Sequence, residues 1–217
     1  MILGFSDFHG DKRAVENASQ VVTEQKPDLV VVAGDLANNN RETALGFLNE
    51  LSRPYAPLFF VPGNLDSATL LDSPPPDNAY CIHGACRRFR GVTFLGLGGS
   101  VRGPFETPFE YEELTAKIAL ESSCQGLESS KLVLVTHCPP KNTKVDRTLA
   151  GIHAGSFSVR DFIETRSPDL TICGHIHEAM GVDYVGKSLV VNVGAAQQGY
   201  YGIVQFENKV RIRLSRF

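Results

Sequence analysis

The chain has 217 residues, 42% of them apolar, a net charge of −3 and no run of like charge; this length supports a full core, roughly 70% or more of the unfolded surface, and the charge argues against a general nucleic-acid binder. No apolar stretch approaches the ~20 residues that span a bilayer. The five cysteines form no C-x-x-C pair and the chain opens on a strand with no basic, removable leader, so a reduced cytoplasmic protein with no membrane partner is expected.

Ile2–Ser6 reads as a buried strand, followed by the polar loop Asp7-Phe8-His9-Gly10-Asp11. From Lys12 to Gln25, Ala14, Val15, Ala18, Val21 and Val22 fall at helical spacing, and Pro27 ends the run. Asp28–Ala33 is a β-branched run without alternation, the pattern of a strand covered on both faces. It stops at Gly34-Asp35, and a second helix is predicted over Arg41–Ser52. Pro57–Val61 is a third apolar strand, closing on Pro62-Gly63-Asn64-Leu65-Asp66. Strand, polar loop and helix thus recur in the order of a mainly parallel sheet.

Three shorter, hairpin-like strands are expected at Tyr80–Ile82, Cys86–Phe89 and Val92–Leu97, then a long mobile Gly/Pro loop from Gly98 to Pro108 and a helix over Glu110–Ser122. Loops of that length are usually functional. Leu132–Val135 is again a buried strand, ending in Thr136-His137. A helix over Ser156–Thr165 leads to the strand Leu170–Cys173. The tail reads as two hairpins of a late antiparallel sheet, Val182–Val185 with Ser188–Val193 and Tyr201–Phe206 with Val210–Leu214, the latter turning at Asn208.

Two of the six histidines stand one residue apart in Gly174-His175-Ile176-His177. On an extended backbone both would face one pocket, beyond a strand end, where open α/β sheets bind ligands. Five apolar strands each end in a residue able to hold a metal: Asp7 and His9, Asp35, Asn64, His137, then His175 and His177. Strand C-termini gather along one sheet edge, so the seven can meet. Imidazole nitrogen with carboxylate and amide oxygen, and no thiolate, suits Mn²⁺, Fe²⁺, Co²⁺, Ni²⁺ or Zn²⁺. Seven donors are too many for one ion with an open position and suit two ions sharing a carboxylate.

The blocks Asp7-x-His9, Gly34-Asp35, Gly63-Asn64, Thr136-His137 and Gly174-His175-x-His177 resemble the five signature blocks of the calcineurin-like metallophosphoesterases, in the family's order. Gly98-Gly99-Ser100, Pro104-Phe105-x-Thr107-Pro108 and Gly155-Ser156 further resemble a branch of predicted phosphoesterases related to the Icc cyclic-nucleotide phosphodiesterases. The resemblance implies a four-layer α/β/β/α sandwich with two mixed sheets, residues 1–217 forming one domain. It places Asp7, His9 and His177 on one metal and Asn64, His137 and His175 on a second, with Asp35 bridging. Manganese is the expected metal, with Fe, Ni, Co or Zn as alternatives. Asp35, Asn64 and His137 would carry the chemistry with a metal-bridging hydroxide as nucleophile. A thiolate nucleophile is not required: Cys138 adjoins His137, but neighbours on a strand point to opposite faces.

One position departs from the family. Many members carry a histidine after Gly-Asn that protonates the leaving alkoxide, and here Leu65 stands there. Loss of a general acid costs about 10²–10⁴ in rate on poor leaving groups, so a good leaving group or a substitute acid is needed, and His153 is a candidate. Family branches without this histidine are commonly regarded as phosphodiesterases, so the expectation is a phosphodiesterase for small or nucleotide-like phosphate esters. A non-catalytic interaction scaffold and a nuclease are the alternatives. Asn38, Arg102 and His153 are expected to contact substrate, and Asp11 and Asp66 to orient histidines. Phe105 and Phe109 read as packing, His83 and the cysteines as structural, and the oligomeric state stays open.

Overall fold

A computed structural model describes residues 1–52, 56–123, 131–206 and 209–217; the expected turn at Asn208 and Cys124 lie outside these. The chain alternates β1 (Ile2–Phe5), α1 (Lys12–Gln25), β2 (Leu29–Ala33), α2 (Arg41–Ser52) and β3 (Leu58–Val61). Next come β4 (Ala79–Cys81), β5 (Cys86–Phe89), β6 (Val92–Leu97), β7 (Ser100–Val101), β8 (Glu110–Tyr111), α3 (Glu113–Ser123) and β9 (Leu132–Thr136). The rest is α4 (Phe157–Arg166), β10 (Leu170–Cys173), β11 (Gly181–Val185), β12 (Ser188–Asn192), β13 (Tyr200–Phe206) and β14 (Val210–Arg216).

Two six-stranded mixed sheets form, in the orders β14-β13-β1-β2-β3-β4 and β11-β12-β10-β9-β6-β5. Strands β1 to β4 are mutually parallel, as are β6, β9, β10 and β12, while β13, β14, β11 and β5 join antiparallel. Side chains alternate across each strand, so a strand buried on both faces feeds two cores. In β2, Val30 and Val32 pack under α1 and α2. Val31 and Ala33 turn the other way and meet Val133, Val135 and Ile172 of the second sheet. That sheet's outer face, Leu134, Cys173 and Val190, is covered by α3 and α4 through Leu120, Val159 and Ile163. Three apolar layers between four layers of elements make an α/β/β/α sandwich.

Several expected details change. The tail hairpins do not build a sheet of their own: β11–β12 extends the second sheet and β13–β14 the first. β12 is buried along its whole length because its other edge pairs parallel with β10. β4 is no hairpin strand but runs parallel to β3. The helix expected from Glu110 starts at Glu113, because Glu110 and Tyr111 pair in parallel with Ser100 and Val101. The Gly98–Pro108 loop is tied rather than free, with Gly99 donating to Pro62 O and Phe109 to Asn64 O.

Candidate metal centre

Beyond their C-terminal ends, β1, β2 and β3 of one sheet meet β9 and β10 of the other, so the site lies at a shared end of the sandwich rather than along one sheet edge. The loops after β1 and β2 are laced together by their backbones, Asp7 N to Gly34 O, His9 N to Asp35 O and Gly10 N to Leu36 O, each at 2.9 Å. Lacing holds three side chains in left-handed backbone, Asp7 at φ 59°, His9 at 49° and Asp35 at 53°, and His175 makes a fourth at 69°. Such conformations cost about 1–3 kcal/mol each and persist only where surrounding contacts over-determine them. Two glycines allow the closeness. A Cβ on Gly63 would sit 2.0 Å from Asp35 Oδ1, and one on Gly174 1.9 Å from Ser6 Oγ.

Asp7, His9 and His177 each bring one donor atom within 4.8 Å of the others, and Asp7, Asp35 and His137 do the same. His9 Nε2 and His177 Nε2 stand 3.0 Å apart, with Asp7 Oδ1 3.3 Å from the latter. His137 Nε2 is 2.8 Å from Asn64 Oδ1 and 3.4 Å from Asp35 Oδ2. The carboxylate common to both groups is Asp7, whereas the family resemblance implies Asp35 as the bridge. Asp35 Oδ2 itself lies between His137 and His9, 3.8 Å from His9 Nε2. His175 enters neither group of three, but its ring packs edge-on against His137 with centroids 4.9 Å apart.

The His175–His177 segment is not extended. The left-handed turn at His175, followed by a 3₁₀ turn that begins at His177, sends the second ring toward His9 and the first toward His137. Asn192, fully buried, sets this shape by donating its amide to Gly174 O at 3.2 Å and Ile176 O at 2.8 Å. Asp7 Oδ2 accepts from His175 N.

Two of the four rings, those of His137 and His9, are aimed by their other nitrogen. His137 Nδ1 donates to Ala33 O at 2.7 Å, and His9 Nδ1 to Asn38 Oδ1 at 3.0 Å, while Asn38 Nδ2 donates back to His9 O. Asn38 therefore braces a histidine. Asn64 is aimed likewise: its Nδ2 donates to Thr107 Oγ1 at 2.9 Å, and that hydroxyl donates to Glu110 Oε1 at 2.5 Å. Asp11 and Asp66 do not touch histidines. Asp11 caps α1, and Asp66 accepts from the backbone of Leu36, Ala37 and Gly63, fixing the loops that carry Asp35 and Asn64.

Charge is concentrated here. Burial opposes ionisation of Asp7, yet the His177 and His9 imidazoles hold its carboxyl far below the usual range. Burial likewise opposes a charged His137, but Asp35 and then Asp7 lift it to about 9. Burial, reinforced by neighbouring His137, presses His175 down to about 4. Burial and the nearby Asp35 charge push Asp66 up to about 6. The protein thus gathers buried carboxylates that need positive charge beside imidazoles aimed at one spot. Divalent cations can replace those protons, and the nitrogen and oxygen donors, without thiolate, fit borderline-hard ions. Burial raises the Cys138 thiol to about 12 and pushes the Cys173 thiol up as well, so neither offers a thiolate near neutral pH.

The family model for calcineurin-like phosphoesterases matches residues 1–179. The chain belongs to that family. An uncharacterised protein of Methanocaldococcus jannaschii is 33% identical to this phosphoesterase over 200 residues, covering 88% of the chain and 86% of the relative. A Thermus thermophilus structure superposes with TM-score 0.78 at 21% identity, covering 99% and 97% of the two chains. A structure described as a novel archaeal phosphodiesterase superposes at TM-score 0.54 and 16% identity, covering 99% of each. At these identities the structures establish the fold alone.

This metal-dependent phosphoesterase has a cleft of about 610 Å³ beside the centre, lined by Asn64 and His175 on the metal side. Arg102 and His153 line it too, but Arg102 Nε is paired with Glu112 at 2.9 Å, both largely exposed. Phe105, expected to pack, stands 85% exposed at this cleft, whereas Phe109 packs on His83 and Tyr111. His83 is structural, its Nδ1 accepting from Gly98 N. Thr107, Glu110 and Asn192 escaped the sequence reading. The first lay in a quoted motif, but only the fold connects it to Asn64.

Proposed function

We propose that residues 1–217 form one domain, a cytoplasmic dinuclear phosphodiesterase for small or nucleotide-like phosphate esters. Asp7, His9 and His177 would hold one divalent ion, Asn64, His137 and His175 the other, with Asp35 between them and manganese the preferred metal. The interleaving of two donor groups around Asp7 and Asp35 carries this reading, since one site would leave several aimed imidazoles without use. Strands β11 to β14 lie beyond the family match, yet β12 pairs with β10 and β13 with β1, which supports counting the whole chain as one unit.

When bound, two such ions would supply an activated water and a positive clamp on phosphoryl oxygens. The chain's residues do the rest. His137 and Asn64, braced by Ala33 O and Thr107, would fix where the phosphoryl group sits. Leu65 brings no proton, its backbone N–H being engaged with Asp35 Oδ1. A charged diester with a good leaving group therefore suits the site better than an alkyl monoester.

The test is a hydrolysis panel on the full chain with added Mn²⁺, comparing an aryl diester, an aryl monoester, cyclic nucleotides and an alkyl monoester. Diesters should turn over fastest and chelation should abolish the rate. Failure to hydrolyse any of them in metal-loaded protein would favour the scaffold alternative.

A further inference from the structure

Asp146 is fully buried at the foot of the hairpin that carries His153. Its Oδ1 accepts from Thr143 N at 2.8 Å and Thr143 Oγ1 at 3.2 Å, and its Oδ2 from Asn142 N and Gly155 N, each at 3.1 Å. The remaining partner is His153 Nδ1, 2.7 Å from Oδ1. Every other group on this carboxylate donates, so the imidazole donates as well, and its proton sits on Nδ1. That fixes the tautomer and leaves Nε2 to take up and release a second proton. The His153 side chain is 37% exposed, on the cleft that also takes in Asn64 and His175.

Other proton carriers on that cleft are engaged. Arg102 is paired with Glu112, and a guanidinium does not give up its proton. Lys141 Nζ donates to His153 O at 2.5 Å, Glu110 accepts from Thr107, and Glu113 accepts from the first turn of α4. Among the described residues lining the cleft, and setting aside His175 as a candidate metal ligand, His153 alone combines a titratable ring with an atom no hydrogen bond claims. Leu65 vacates the position from which a donor would otherwise act.

We infer that His153 Nε2 is the proton donor to the leaving alcohol and Asp146 its positioning residue, a role that rests on the phosphoesterase reading above. In the step, a water-derived oxygen bonds to phosphorus and the bond from phosphorus to the departing oxygen breaks. The electron pair stays on that oxygen, which takes the Nε2 proton and leaves as a neutral alcohol. The ring is left neutral and regains its proton from solvent, into which the attacking water has released its own.

The test is a series of diesters whose leaving groups run from p-nitrophenol to a simple alkyl alcohol, on full-length wild type and His153→Gln with Mn²⁺. The variant should lose about 10²-fold or more in kcat/KM on the alkyl diester and about tenfold or less on the p-nitrophenyl one. Metal content should match wild type. In metal-free protein, ¹⁵N-histidine NMR should show neutral His153 protonated on Nδ1. Equal loss across the series, no loss, or an Nε2-protonated neutral ring would overturn the assignment. Absence of wild-type turnover on every diester would overturn the phosphodiesterase reading with it, whereas turnover with an unchanged leaving-group slope defeats only the role of His153.

Discussion

At the scale of single residues, the centre is an arrangement of lone pairs that only cations relieve. Asp35 stands between His9 and His137, so its charge bears on both donor groups, whereas His177 faces only Asp7 and His9. If two ions bind as proposed, Asp35→Asn should weaken both by more than the roughly 10–100-fold that follows loss of an outer partner. His177→Ala should chiefly lower the occupancy of one. Metal analysis after dialysis against limiting Mn²⁺ separates the two, and full occupancy in both variants would refute the assignment. The seven candidate ligands could be picked out before folding because each follows a strand end, a local signal, and the fold brings five of them into the two donor groups. Their braces could not. Asn38, Thr107 and Asn192 sit 29, 43 and 16 positions from the residues they hold, and no spacing rule links such positions before the chain is folded.

At the scale of elements, periodicity places long buried strands and helices well, and fails where a side chain competes with the backbone pattern. A helix is expected over Glu110–Ser122, yet Glu110 accepts from Thr107 and its segment pairs with β7, so the helix waits for Glu113. Glu113 in turn caps a different helix. Its carboxylate accepts from Phe157 N at 2.8 Å, Ser158 N at 2.9 Å and Ser156 Oγ at 2.7 Å, at the positive end of α4. Burial works against this charge, but those hydrogen bonds hold the carboxyl below its ordinary 4.5. A depressed folded value means the stabilisation is fully present above pH 4.5 and is lost as pH falls through the folded value. Glu113→Gln should therefore cost about 1 kcal/mol near neutral pH. The gap to wild type should shrink in denaturant titrations run toward pH 3. A difference that stayed constant across that range would show that charge has no part in the cap.

For the whole molecule, the question is what joins the two sheets at the end where the site lies. Over most of their area the sheets meet through apolar side chains such as Val31, Phe59, Val133 and Ile172. At the loop end that contact gives way to buried carboxylates and imidazoles from both sheets: Asp7 and Asp35 from the first, His137 and His177 from the second. Each donor group draws on both, so any ion bound there ties one sheet to the other, and unfolding must release it. Binding to the folded state alone stabilises by about 2.7 kcal/mol when free metal is 100 times its dissociation constant. For a chain of this size that is a rise of roughly 5–10 °C in melting temperature. Calorimetry of chelated wild type against Mn²⁺-loaded wild type should show that rise. Asp35→Asn, with the charge between the groups removed, should lose most of it under the same metal concentration. A melting temperature indifferent to chelation would mean that the donors from the two sheets do not bind a common ion in solution, and would overturn the dinuclear reading.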